Sequence, residues 1–191
     1  YSTAVEEARA MALALHHFWD PRLRTIAPEC PDACAASALE QFVTQDLMQL
    51  RWIRGGRLVS AHKRAVRLIV QYARAKGAVA RVERQGQWYQ HIKDMGLMRA
   101  ALRKLLRELM RIKAVGDYPA ARNLFQKYAV KADVSVRDQV AARAERIGLP
   151  GRFAFILPSL RLEDGRVTID HQETFREQQL ALPVPQGPLV P

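Results

Sequence analysis

Between Asp94 and Val115 the apolar residues Met95, Met98, Leu102, Leu105, Leu109 and Ile112 recur every three or four positions, and Gly116 follows them. The spacing matches an α-helical turn and puts all six on one face, and a glycine just past the last apolar position ends such a helix. A helix that is apolar along one face needs neighbours to cover it. Much of the remaining sequence carries the same period. Ala35, Leu39, Phe42, Val43, Leu47, Leu50 and Ile53 predict a long amphipathic helix over 31–53, stopped by Gly55-Gly56. Leu58, Ala61, Ala65, Ile69 and Tyr72 predict another over 58–76, closed by Gly77.

The helix ends are also written locally. Thr3-x-x-Glu6 has the form of a capping box, which starts a helix at Thr3 and carries it to about His17, before Asp20-Pro21. Asp117 can cap a helix with Pro119 in its first turn, and Ser135-x-x-Asp138 opens one that ends at Ile147-Gly148-Leu149-Pro150. The period changes in two places. Val79 and Val82 stand on one side of Gln85-Gly86 and Trp88, Tyr89 and Ile92 on the other, which predicts a short hairpin. Phe153 to Leu157 and Val167 to Ile169 predict two strands joined through Glu163-Asp164-Gly165. The expected fold is mainly α with minor β: a helical portion over 1–182 with one or two short β-hairpins, then a Pro-rich C-terminal tail over 183–191.

With 191 residues, 49% of them hydrophobic, the chain is long enough for one sizeable core or two small ones. No apolar run approaches the roughly 18 residues of a membrane span, so a soluble protein is expected. Cys30 and Cys34 are too few for a disulfide framework and have no nearby His to make a zinc site, which suits incidental thiols in a reducing, cytoplasmic setting. The net charge is +11, and it is unevenly placed. Arg51, Arg54, Arg57, Lys63, Arg64, Arg67, Arg74 and Lys76 follow one another with no Asp or Glu between them, and Arg99, Arg103, Lys104, Arg107, Arg111 and Lys113 are opposed only by Glu108. Such stripes can track a phosphate backbone, and they are equally the pattern of a solvated helix face.

An ordered set of segments gives the chain a family likeness. Glu6-Glu7-Ala8-Arg9-Ala10, Leu47-Met48, Ala61-His62, Leu68-Ile69, the run Arg111 to Arg122, Tyr128, Val130-Lys131, Asp133, Leu149-Pro150 and Asp164-Gly165 occur in sequence. Together they resemble the dipeptidyl peptidase III family of zinc metallopeptidases, particularly its bacterial members, from Tyr1 to about Ile169. The resemblance implies that Glu7 is a zinc ligand, that Glu6 supports it from the neighbouring position, and that His62 is a catalytic residue donating to the developing oxyanion or holding the peptide. It further implies that Arg161 binds substrate, where a guanidinium can grip a peptide carboxylate. Zn²⁺ is the implied cofactor and short peptides the implied substrates. The family's H-E-x-x-G-H helix, which carries two histidine ligands and the general base, does not occur in these residues. The chain is therefore expected to be the C-terminal portion of a longer peptidase, inactive alone, with the missing N-terminal part as its partner.

Other readings of the same residues stand beside this one. His62 lies among Leu58, Ala65, Val66 and Ile69, where a packed core histidine would look the same, and Arg161 beside a turn could be a surface residue. Met11 replaces an acidic family residue one turn after Glu7, and Val66 replaces an Arg one turn after His62. Those two departures fit altered specificity or a degenerate peptidase relative. His16, His17, His91 and His171 read as structural or solvated, and Trp19, Trp52 and Trp88 as core or edge residues. From a different class, the basic stripes fit a non-catalytic helical module that binds nucleic acid or an acidic partner.

Overall fold

In a computed structural model of the chain, residues 1–26, 32–53, 57–149 and 159–170 are described. Helices dominate: α1 Ser2–His17, the single turn α2 Leu23–Ile26, α3 Asp32–Gln49, α4 Ala61–Ala75, α5 Met95–Val115, α6 Tyr118–Tyr128 and α7 Val134–Arg146. Among the described residues there are also two antiparallel hairpins, β1 Val79–Arg84 with β2 Gln87–Ile92, and β3 Ser159–Glu163 with β4 Arg166–Asp170. The expected class, mainly α with minor β, is the one observed. The chain divides into two compact units, Tyr1–Ile147 and Gly148–Pro191. Residues 183–191, expected as a tail, lie outside the described residues.

The first unit is organised around α4, on which α1, α3, α5, α6 and β1 all pack. Its Ala65, Val66, Leu68, Ile69, Val70, Tyr72 and Ala73 are buried, so this helix is covered on most sides. On α1 the buried residues are mainly small, with Ala8 and Ala12 fully enclosed beside Ala4, Val5 and Leu15, and this lets α1 approach α4 and α5 closely. Helix α5 contributes the six periodic positions almost as expected: Met98, Leu102, Leu105, Leu109 and Ile112 are buried and Met95 packs at the margin. Gly116 ends it with φ +67°, a conformation a glycine adopts without strain. A second, smaller cluster joins Leu47, Leu50, Ile53 and Leu58 to Val136 of α7.

Several local expectations shift by a few residues, each for a physical reason. Helix α3 gives way after Gln49 to a 3-10 turn, Leu50–Trp52, before Ile53 becomes extended; Gly55 and Gly56 lie outside the described residues. Helix α4 starts at Ala61 because Arg57 is drawn into a bridge with Lys131 and the Leu58 amide donates to the Val130 carbonyl. Helix α1 begins at Ser2 and has no side-chain cap, so the capping box at Thr3 is not formed. Glu6 instead bonds Arg9 at 2.9 Å and pairs with Lys113 of α5, a partner that local pattern does not reveal. Helix α7 is capped by Asp133, which accepts from the Ser135 and Val136 amides, whereas Asp138 pairs with Arg137 at 2.6 Å. The β1–β2 turn falls at Gln85-Gly86 as expected, with both φ positive. In the second hairpin the Asp164-Gly165 turn spans two residues, so Val167 pairs with Leu162 and Ile169 with Leu160. The partner of β4 is therefore 159–163, and the strand expected at 153–157 falls outside the described residues.

Candidate functional site

Glu7 and His62, two of the residues singled out in the first unit and 55 positions apart in sequence, come together. Glu7 lies on the second turn of α1 and His62 in the first turn of α4, where those helices pack. The distance from His62 Nδ1 to Glu7 Oε2 is 3.4 Å, long for a hydrogen bond and short enough for the pair to act on one ligand. Both side chains reach solvent, the imidazole 56% exposed and the carboxylate 41%. His62 is thus not a packed core histidine. Val66, one turn on, is fully buried in the core.

Around Glu7 the surface of α1 is low. Thr3, Ala10 and Ala14 are exposed on its face, and Met11 is half-buried against the core. Glu6 points elsewhere, its carboxyl held below the ordinary carboxylate range by Lys113 and Arg9. Adjacent helical residues diverge by about 100°, which lets Glu6 tie α1 to α5 while Glu7 stays available. Arg161 belongs to the second unit, in β3 opposite Thr168.

A catalytic zinc takes three ligands from protein and keeps an open position. Among the described residues no three His, Cys, Asp or Glu side chains converge to hold a metal. Glu7 has the exposure and the oxygen chemistry of a single carboxylate ligand, and His62 beside it brings the donors to two at most. The remaining histidines do not join them. His16 and His17 stack edge to face at 5.4 Å, His17 faces Asp20 at 3.5 Å, and burial beside other cations pushes the His16 pKa down. His91 sits in β2 opposite Ala80, and His171 lies outside the described residues. Cys34 is a half-buried free thiol, and Cys30 also lies outside them.

The basic runs resolve into different environments. Arg67 is buried and bonds Asp46 at 3.2 Å, Lys63 lies 4.3 Å above the Trp52 ring, and Arg64 donates to the Leu58 carbonyl at 2.6 Å. The acid-free run from Arg51 to Lys76 is therefore not one solvated stripe. On α5, Arg99, Arg103 and Arg107 do form an exposed row, with Arg99 over Trp19 at 4.8 Å. What the sequence reading missed is the buried network of Asp46, Arg67, Gln71 and Gln90; a lone Arg inside the apolar run Ala65 to Val70 was its signal. Among the described residues, no helix is long and apolar enough to cross a membrane. The chain matches no model of a known protein family and no curated protein.

Proposed function

We propose that this chain is the C-terminal portion of a zinc-dependent exopeptidase of the dipeptidyl peptidase III type, with Glu7 as a zinc ligand and His62 at the substrate. The observation that carries the reading is the meeting of Glu7 and His62, both accessible, at the α1–α4 contact. The two histidine ligands and the general base would come from an H-E-x-x-G-H helix outside these residues. Thr3, Ala10 and Ala14 beside Glu7 are exposed and small, which favours the close approach of such a helix. When bound, the metal acidifies its water and polarises the scissile carbonyl. The chain's own part is to present a carboxylate from a rigid helix and to aim an imidazole donor from α4 at the same place. Glu6 keeps α1 seated on α5 through Lys113.

The test is zinc content and dipeptidyl-arylamide hydrolysis by the protein from its native source, beside the isolated 191 residues. The native protein is expected to hold one zinc and cleave, and the isolated chain to do neither. Glu7→Ala should release the metal. His62→Ala should keep it while lowering kcat about 100-fold, the usual effect of losing one oxyanion donor. Metal content and activity untouched by Glu7→Ala would refute the proposal.

A second reading, a basic helical module for nucleic acid or an acidic protein, is favoured by the exposed α5 row Arg99, Arg103 and Arg107. It accommodates the loss of the family residues at Met11 and Val66, as does a degenerate peptidase retained for binding.

A further inference from the structure

Where α4 passes α6, the first unit has a second basic feature, distant in chemistry from the Glu7–His62 pair. Arg67, Gln71 and Arg74 of α4, with Lys127 and Tyr128 of α6 and Lys131 just beyond it, line a concavity of about 380 Å³ that opens to solvent. Four of those six side chains are cations. Asp46 neutralises one of them, Arg67, and also receives the Gln71 amide at 2.7 Å. Among the described residues, Arg74, Lys127 and Lys131 have no carboxylate partner: Arg74 bonds the Gln71 oxygen at 3.2 Å and Lys127 lies 5.2 Å from the Tyr128 ring.

Two contacts tie the walls of this concavity to the rest of the unit. The Arg67 Nε donates to the Lys131 carbonyl at 3.1 Å, which pins the α6–α7 connection to α4, and Tyr128 packs edge-on against Tyr72 at 5.5 Å. Close by stands Arg81 of β1, whose pKa is pushed down chiefly by burial and also by Arg74 and Arg67, with Asp46 and Asp133 acting the other way. Its Nε and Nη2 are buried with no hydrogen-bond partner among the described residues. Like charges gathered this way repel one another. A multivalent anion held in the concavity offsets the repulsion among Arg74, Lys127 and Lys131.

We propose that this concavity binds a small polyphosphate anion. Three uncompensated cations match a chain of two or three phosphoryl groups better than a carboxylate, which carries a single charge. Arg74 supplies a planar fork for phosphoryl oxygens, Lys127 and Lys131 supply point charges, and the Tyr128 hydroxyl supplies a neutral donor. The lining is mostly polar, so the recognised part is the phosphate chain itself. The inference is independent of the peptidase reading, because none of these residues touches Glu7 or His62.

The test is calorimetric titration of the full chain with sodium tripolyphosphate at low salt. One molecule should bind per chain, more tightly than orthophosphate, and the exposed-residue variant Arg74→Ala/Lys127→Ala/Lys131→Ala should lower affinity about tenfold or more. The variant Arg84→Ala/Lys93→Ala/Arg122→Ala, equal in charge and made at residues that do not line the concavity, should bind as the parent does. Equal losses in the two variants, or no tripolyphosphate binding by the parent, would overturn the site. A single-stranded oligonucleotide bound more tightly than tripolyphosphate, and lost in the first variant alone, would overturn the small-ligand assignment in favour of a nucleic-acid backbone.

Discussion

Asp46 is 1% exposed and accepts hydrogen bonds from Arg67, Gln71 and Gln90, residues drawn from α4 and β2 onto one α3 carboxylate. Gln90 also reaches the Val43 carbonyl at 2.9 Å, so the hairpin is latched to α3 at the same point. Removing one member of such a pair leaves the other charge buried and unanswered. Asp46→Ala is expected to destabilise the fold by about 3–5 kcal/mol. Glu7→Ala, on an exposed carboxylate, should stay within about 0.5 kcal/mol. Urea unfolding of the two variants checks both; comparable losses would mean that Arg67 is compensated elsewhere, or that Glu7 supports the fold.

At the scale of elements, two helix starts rest on single carboxylates. Asp117 accepts the Ala120 amide at 3.0 Å and pairs with Arg111, while Asp133 accepts the Ser135 amide and hydroxyl and the Val136 amide. These bonds lower both pKa values, through the Ala120 amide and Arg111 for Asp117, and through Ser135 and the Val136 amide for Asp133. An unfolded chain protonates these groups first, near the ordinary Asp value of about 4. Their contribution is therefore complete above that pH and is lost as pH falls toward the lower folded values. Asp133→Ala should lower stability at neutral pH by about 1 kcal/mol, and the difference from the parent should shrink as the pH drops below about 4. Thermal unfolding across that range checks it, and a pH-independent difference would argue that Asp133 acts through packing. These examples also mark what the sequence made legible. Helix α5, its terminal glycine, the Gln85-Gly86 turn and the Asp117 cap were readable because each is decided by residues within one or two turns. Thr3-x-x-Glu6 misled because Lys113, over a hundred residues away, outcompetes a local amide for the Glu6 carboxylate. Ser135 misled because Asp133, two residues earlier, is the stronger acceptor. The meeting of Glu7 and His62 has no local signature, because the two lie 55 positions apart on different helices.

For the whole molecule, charge is the property that most sharply separates the two functional readings. A net charge of +11 is carried on 30 basic and 19 acidic residues, yet many of the basic ones are already engaged with protein groups, as Arg67, Arg64, Arg111 and Lys113 are. Non-specific attraction of any polyanion is expected from the field alone, so affinity at one salt concentration decides nothing. The slope decides, because each phosphate neutralised adds about −0.9 to the dependence of log affinity on log salt for duplex DNA. If Arg99, Arg103 and Arg107 meet three phosphates, the slope is near −3 and affinity falls about 40-fold between 50 and 200 mM salt. Arg103→Ala/Arg107→Ala should then bring the slope to about −1, since two of the three contacts are gone. Fluorescence anisotropy with a labelled duplex gives both slopes. A parent slope near zero, or one that the double variant leaves unchanged, removes the α5 row as a nucleic-acid surface and leaves the exposed Glu7–His62 pair as the better claim on what this chain does.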